Sequence, residues 1–206
     1  MTYPASAEKM YAELSDTRLI SLTCSGDQRA FEELVERYHV PIFNYLYRMM
    51  NDSDIAQDIA QDVFLRTYMM LSKIDTTRPL KPWLFQVAHN CCIDEIRRRG
   101  RQAVTFSQIS SETEGGESLI DIIPDASPLP EVVAERHDLQ QVLNEAILAL
   151  PFKYRSVTTL RYASQLGFAE IGRILNMPEP TAKTYFARSK VMLRSILEQK
   201  YHYRSS

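Results

Sequence analysis

Three observations predict an all-α fold of two small helical domains joined by an acidic linker. No segment alternates apolar and polar residues at period two for long enough to make a strand. Apolar residues instead recur at helical spacing on both sides of a single interruption. That interruption, Phe106 to Pro130, is rich in Ser, Gly and Pro and has no period of its own. The 206 residues suit one large domain or two small ones, and the division expected is 1–106, 107–135 and 136–206.

Composition excludes several classes. Apolar residues at 45% and charged residues at 24% are ordinary globular usage. There is no uncharged apolar run of about 18 residues, and no basic start followed by an apolar block. Membrane spanning and secretion are therefore not expected, and the chain reads as cytoplasmic. Three cysteines, Cys24, Cys91 and Cys92, cannot make a disulfide framework. Cys91 and Cys92 read as small buried residues rather than as a redox pair. Only six glycines are present, which argues against Gly-rich phosphate loops.

Each helix has its own start and stop signals. Asp16 is placed to cap a helix carrying Leu19, Ile20 and Leu22, which Gly26 stops. Asp27 opens a longer helix with Phe31, Leu34, Val35 and Tyr38 on one face, and Pro41 inside it predicts a kink or short break. Asn51-Asp52-Ser53 is a stop and restart. The third helix turns Ile55, Ile59, Val63, Tyr68 and Leu71 inward. Asp75-Thr76-Thr77-Arg78-Pro79 is a loop. A fourth helix spans about Pro82 to Arg99, with Trp83, Leu84, Val87, Ala88, Cys91 and Ile96 inward. Beyond the linker, a helix from Val132 to Leu150 buries Val133, Leu139, Val142, Leu143, Ala146 and Ile147. The next, from Lys153 to about Ala163, buries Val157, Leu160 and Tyr162. Two more, about Phe168–Leu175 and Thr181–Leu197, flank Asn176-Met177-Pro178-Glu179-Pro180.

Charge is segregated along this frame. Residues 107–135 hold seven acids (Glu112, Glu114, Glu117, Asp121, Asp125, Glu131 and Glu135) and no base, whereas residues 136–206 hold 11 basic against five acidic residues. A basic unit behind an acidic connector points to nucleic acid at one end. The last helix pair has helix-turn-helix spacing, with Gly172 allowing close approach and Thr181 as the expected cap. Ala182, Phe186, Ser189 and Leu193 face inward. Thr181, Lys183, Thr184, Tyr185, Arg188 and Lys190 face outward, with the chemistry to meet phosphates and base edges.

Two further constellations stay open on spacing alone. Asp54, Asp58 and Asp62, flanked by Gln57 and Gln61, form a slanting stripe on the third helix. The stripe fits a solvated face as well as a cationic partner. A metal site is not expected, since no His stands at ligand spacing. Arg97, Arg98, Arg99 and Arg101 close the fourth helix, where they favour its dipole or could grip a nucleic-acid backbone beside His89 and Asn90. Trp83 reads as core.

Together these segments resemble an extracytoplasmic-function (group 4) sigma factor of the sigma-70 family. Asp27 to Tyr38 is similar to the family's first helix, Asp54 to Arg66 to region 2.2, and Trp83 to Asn90 with Ile93-Asp94 and the arginines to regions 2.3 and 2.4. Leu150-Pro151, Arg155, Leu160-Arg161-Tyr162 and the helix-turn-helix resemble region 4. The resemblance implies a non-enzymatic, cofactor-free initiation factor, monomeric when free, that brings core RNA polymerase to promoter DNA. It implies that Asp54, Gln57, Asp58, Gln61 and Asp62 meet the β′ coiled coil, and that region 4 meets the β flap. Arg78, Lys81, His89, Asn90, Arg97, Arg98, Arg99 and Arg101 would serve the melted −10 element, and Thr181, Lys183, Thr184, Tyr185, Arg188 and Lys190 the −35 duplex. The acidic linker would follow the basic cleft toward the RNA exit path, or else act as a charged tether. An anti-sigma factor is the expected regulator, since no long extension follows the last helix. Pro180 and Tyr185 depart from the family's common turn glycine and basic residue, so the −35 preference does not carry over.

Two rivals make different predictions. A conventional helix-turn-helix regulator needs a sensor half with strands or a ligand pocket, and neither pattern occurs in residues 1–106. A nuclease built on Asp54, Asp58 and Asp62 needs a second cluster of metal ligands.

Overall fold

The computed structural model describes the backbone of residues 10–107 and 136–204 and the side chains of 10–101 and 141–199. The linker acids, Leu119–Ile123, Val132, Val133 and the side chain of Leu139 lie outside those residues. Every regular element among the described residues is helical, and no strand occurs there.

Helix α1 covers Asp16–Cys24. Its cap is Ser15, whose hydroxyl accepts the Arg18 N–H, and not Asp16 as expected. Asp16 sits one position inside and points across to the next helix. There its carboxylate accepts Arg37 Nη1 at 2.7 Å and the Tyr38 hydroxyl. Gly26, at φ +99°, turns the chain, a conformation that glycine adopts without a Cβ penalty. Asp27 then caps α2, Gln28–Met50, through the Arg29 and Ala30 N–H groups.

Helix α2 runs through Pro41 without a break. The proline removes the hydrogen bond to the carbonyl four residues back. Tyr38 on one side and Ile42, Tyr45, Leu46 and Met49 on the other are buried, so tertiary burial holds the helix together. Asn51, left-handed at φ 55°, ends it, and Asp52 caps α3, Ser53–Met70. Ala56, Ile59, Ala60, Val63, Phe64 and Thr67 face inward on α3, and Leu71 is buried in the short 3₁₀ turn beyond it. Tyr68 is exposed, contrary to expectation: its ring only leans edge-on against Phe31 of α2, 5.0 Å between centroids, at the rim of the core.

Helix α4, Leu80–Ser107, starts earlier and ends later than the sequence predicts. Pro82 is tolerated because first-turn N–H groups have no intrahelical partner, and Gly100 alone does not stop the helix. Leu84, Phe85, Ala88, Cys91 and Cys92 are fully buried against α2 and α3, whereas Trp83, Val87 and Ile96 are half-buried.

The second domain comprises α5 (Arg136–Leu148), α6 (Phe152–Tyr162), α7 (Phe168–Ile174) and α8 (Glu179–Arg204). Ala146, Ile147, Leu150 and Leu193 close α5 onto α8. Leu143 and Tyr162, expected inside, are exposed. Six consecutive residues, Arg155 to Leu160, are buried on α6. A helix with only one covered face cannot do this. Helix α6 is covered on two sides, by α8 of its own domain and by α2 of the first. A single hydrophobic core therefore continues from α2 and α4 into Phe152, Val157, Leu160, Ile171 and Ile174.

Candidate nucleic-acid and polymerase surfaces

The turn between α7 and α8 is built by local hydrogen bonds. Leu175 N–H donates to Ile171 O, Met177 N–H to Gly172 O at 2.8 Å, and Thr181 N–H to Pro178 O. Asn176 takes the left-handed conformation at φ 51°. A Cβ on Gly172 would stand 2.7 Å from Met177 O, so only glycine lets the turn come this close. Helix α8 opens at Glu179 rather than at Thr181, because Pro180 has a first-turn position to occupy. Thr181 is consequently inside the first turn and is not its cap.

The inner face of α8 is locked. Ala182 and Ser189 are fully buried, and Ser189 accepts the Thr158 hydroxyl at 2.7 Å while donating to Phe186 O. The Phe186 ring rests between Tyr162 and Phe168 at 5.2 and 5.4 Å. The outer face is left to solvent: Lys183, Thr184, Arg188 and Lys190 are exposed and Thr181 is half-buried. Lys183 pairs with Glu179 at 2.7 Å, and the Thr184 hydroxyl donates to Pro180 O. Tyr185 departs from the rest, since its ring leans edge-on against Tyr154 at 5.3 Å.

The first domain presents two surfaces. At the end of α4, Glu95 gathers Arg98 and Arg99 at 2.8 and 3.0 Å. The hydrogen bonds from Arg98, with those from Arg99, hold its carboxyl below the usual range. Arg99 also lies 3.9 Å from Asp52. Arg97, Arg98, Arg99, Arg101 and Asn90 are all exposed. Ahead of the helix, Asp75 accepts both the Thr77 hydroxyl and N–H, which lower its pKa, and pairs with Arg78 at 3.3 Å. This frame holds the loop beside Lys81, which is half-buried at the start of α4. His89 does not join that outer set. It is half-buried, its Nδ1 is 2.9 Å from the Tyr45 hydroxyl and its ring is 6.0 Å from Phe152. Burial pushes its pKa down to about 4.

On α3, Asp54, Asp58 and Gln61 are exposed and Gln57 and Asp62 are half-buried. The cation adjoining the stripe is Arg66, which bonds Asp62 at 2.8 Å. Sequence reasoning missed the apolar residues beyond the stripe. Leu65 lies within about 20° of Asp54 and Asp58 on the helical wheel and is 59% exposed, and Met69 is 70% exposed. With Tyr68 they extend the acidic stripe into an apolar end, beside a groove of about 470 Å³ lined by Phe31, Phe64 and Asp27. The signal available in sequence was the surplus of apolar residues on α3 over what one inward face can hold.

Cys91 and Cys92 are buried, and burial raises their thiols to about 11 and 12. No group of His, Cys, Asp and Glu able to hold a metal ion occurs among the described residues. No helix among them is long and apolar enough to cross a membrane.

Comparison with known proteins agrees with this geometry. Residues 34–102 match the family Sigma-70 region 2, and residues 140–193 match Sigma-70, region 4. The chain is 35% identical over 185 residues to the ECF RNA polymerase sigma factor SigW of Bacillus subtilis, covering 90% of this chain and 98% of that one. Its fold is similar to that of CnrH, solved in complex with the cytosolic domain of CnrY (TM-score 0.63, 21% identity, 89% of this chain and 97% of that one). It is also similar to the sigma factor RpoE of Bartonella quintana, solved with the anti-sigma factor NepR (TM-score 0.63, 19% identity, 82% and 96%). With a region 2 bundle, a region 4 helix-turn-helix and a relative of this identity along nearly its whole length, the chain belongs to the extracytoplasmic-function sigma factors of the sigma-70 family, non-enzymatic factors that direct RNA polymerase to promoters.

Proposed function

We propose that the two domains divide promoter reading between duplex and melted DNA. The observation that carries this is α8, whose inner face is fixed by Ala182, Ser189 and Phe186 while Lys183, Thr184, Arg188 and Lys190 stand clear of the fold. A helix so held can enter a major groove with its backbone unmoved. Arg188 and Lys183 suit guanine edges or phosphates, and Thr181 and Thr184 suit phosphates and thymine methyls. Tyr185, braced by Tyr154, supplies an apolar edge at the −35 element.

The −10 element is assigned to Arg78, Lys81, Asn90, Arg97, Arg98, Arg99 and Arg101. His89 contributes by bracing α4 through Tyr45. Bases released from the stack are captured there, and the arginines hold the backbone. Asp54, Gln57, Asp58, Gln61 and Asp62, extended by Leu65 and Met69, form the surface for the β′ coiled coil of core polymerase, and region 4 meets the β flap. The linker, with seven acids and no bases, suits a basic cleft on polymerase. The chain acts in the cytoplasm as a monomer before it meets polymerase, and an anti-sigma factor of the kind bound to the Bartonella relative restrains it.

Run-off transcription with sigma-free core polymerase tests the division. Arg188→Ala should relax preference at one −35 position. Arg97→Ala with Arg98→Ala should leave −35 preference intact and reduce opening of the −10 region, read by permanganate reactivity of unpaired thymines. Unchanged opening in the α4 variant would refute the −10 assignment.

A further inference from the structure

We infer that Lys153, which belongs to α6 and not to the helix-turn-helix, grips a DNA phosphate beside the −35 element and makes the hold of α8 on the groove two-sided. Lys153 stands in the first turn of α6 and is exposed. Its Nζ lies 5.4 Å from the centre of the Tyr154 ring and 5.9 Å from that of Tyr185. Both distances fall within cation–π reach. The two rings meet edge-on at 5.3 Å, so together they make one seat for the ammonium. Tyr185 belongs to α8. A cation from another helix is thereby carried onto the flank of the recognition helix.

That flank has no charge of its own. A helix lying in the major groove, about 12 Å wide, has a phosphate backbone on each side. On the helical wheel of α8, Lys183 and Lys190 stand within about 20° of each other and serve one side. There Lys190 Nζ lies 5.3 Å from the centre of the Phe186 ring. Tyr185 and Met192 occupy the opposite flank, about 140–180° away, and neither is charged. Arg188 stands about 40–60° from them, toward the outermost line of the helix, where base edges lie. Without Lys153, one DNA strand would meet two lysines and the other a tyrosine and a methionine. Lys153 is also freer to act than Lys183. Lys183 must leave Glu179, 2.7 Å away, whereas no acid pairs with Lys153 among the described residues. An ammonium has three donors, so one resting on rings can take a phosphate oxygen without giving up its seat. The seat also restrains a long side chain before DNA arrives, which lowers the cost of ordering it on binding.

This inference rests on the assignment of α8 to the −35 duplex. The test is equilibrium binding of the full chain, in complex with core polymerase, to promoters that differ only at −35. It is made at low temperature, where the DNA stays paired, and across a range of salt. Lys153→Ala should weaken binding about three- to tenfold at roughly 100 mM salt, equally on every −35 sequence. One phosphate contact fewer lowers the salt slope by about 0.9, so the loss should be about three- to fourfold larger at 50 mM than at 200 mM. Lys153→Arg should restore both affinity and slope, which a purely structural role for the lysine would not require. The seat has its own arm. Tyr185→Phe keeps the ring and should bind like the wild type, whereas Tyr185→Leu removes it. Adding Lys153→Ala to Tyr185→Leu should then cost less than about twofold, since the lysine has already lost its position. Wild-type binding by Lys153→Ala, a loss that does not change with salt, or one confined to particular −35 sequences would overturn the inference. The −35 assignment fails separately: Lys183→Ala with Arg188→Ala would then leave binding untouched. With that pair effective and Lys153→Ala silent, only the Lys153 contact falls.

Discussion

Replacing Gly172 by alanine adds one methyl group at the tightest point of the second domain. The new Cβ would stand 2.7 Å from Met177 O, 3.4 Å from Glu179 N and 3.6 Å from Glu179 Cα. All three are backbone atoms, and the turn they belong to is closed by the Met177 N–H bond to Gly172 O itself. Relief requires the turn to move out by several tenths of an ångström, which shifts the start of α8. Overpacking of this kind costs about 1–3 kcal/mol. Alanine returns about 1 kcal/mol of helix propensity inside α7. Because all three neighbours are backbone, the cost falls in the upper part of that range, about 2–3 kcal/mol, and the net loss should be about 1–2 kcal/mol. Gly167→Ala is the comparison: its Cβ meets only the end of the Glu170 side chain at 3.3 Å, so it carries no backbone clash and should cost only the loss of a glycine N-cap, about 0.5–1 kcal/mol. Thermal unfolding followed by circular dichroism measures the stability term, and transcription from promoters differing only at −35 measures the displaced helix. Gly172→Ala melting with the wild type, and keeping its −35 profile, would refute the clash as the reason for glycine.

Other perturbations separate the two domains. Asp16→Ala removes the acceptor shared by Arg37 and Tyr38, and chemical denaturation should show a loss of about 1–2 kcal/mol, against nearly none for Asp54→Ala on the open face of α3. His89, held near pKa 4 by burial against an ordinary 6.5, is neutral in the folded chain. The unfolded chain therefore takes up the proton first as pH falls, so stability present above about pH 6.5 is lost through the window down to 4, by at most roughly 3 kcal/mol. Tyr45 beside it, and Arg155 acting on Tyr45, do not titrate in that window, so His89→Gln should flatten the melting temperature between pH 7 and pH 4.5; parallel pH slopes for the two chains would assign the effect elsewhere. Arg188→Ala should cost about 1–3 kcal/mol on a cognate −35 sequence and less on a variant of it; a uniform loss across sequences would make Arg188 a phosphate contact.

What the sequence discloses is what neighbours in the chain decide. Asp27, Asn51 and Asp52 act where they stand, because a cap needs only the next two or three N–H groups. Gly172 is legible for the same reason, as the helix it meets begins a short turn later. Pro41 does not break its helix, because its local cost is outweighed by Tyr38, Ile42 and Tyr45 in a core that the local pattern does not contain. Asp16 misleads because Arg37 and Tyr38, a helix away, draw its carboxylate from the cap. The exposure of Tyr68 and Leu65 and the unbroken burial along α6 depend on what lies opposite, which hydrophobic periodicity cannot supply. His89 belongs to the same group: spacing puts it beside Asn90 on an arginine-rich helix, and only Tyr45 and Phe152 turn it inward. The outer residues of α8 were easier, since a recognition helix is identified by the contrast between an inner face of small and apolar residues and a cationic outer one.

The outer face of α8 is less available than its charge suggests. Lys183 is held by Glu179 at 2.7 Å, and the Thr184 hydroxyl is satisfied by Pro180 O. Each must leave its partner to reach DNA, so each contributes only the difference between two interactions. An exposed pair at this spacing is worth about 0–1 kcal/mol, and Glu179 also repels the phosphates that Lys183 would meet. Glu179→Gln should therefore strengthen −35 duplex binding by about two- to fivefold. Stability should fall slightly as a first-turn acid is lost from the positive end of α8. The opposite sign, weaker binding, would mean that Glu179 positions Lys183 rather than restraining it. A reader weakened in this way is suited to its task. Polymerase holds both domains on one platform, which turns the second DNA contact into an intramolecular one, so neither domain needs to capture promoters alone.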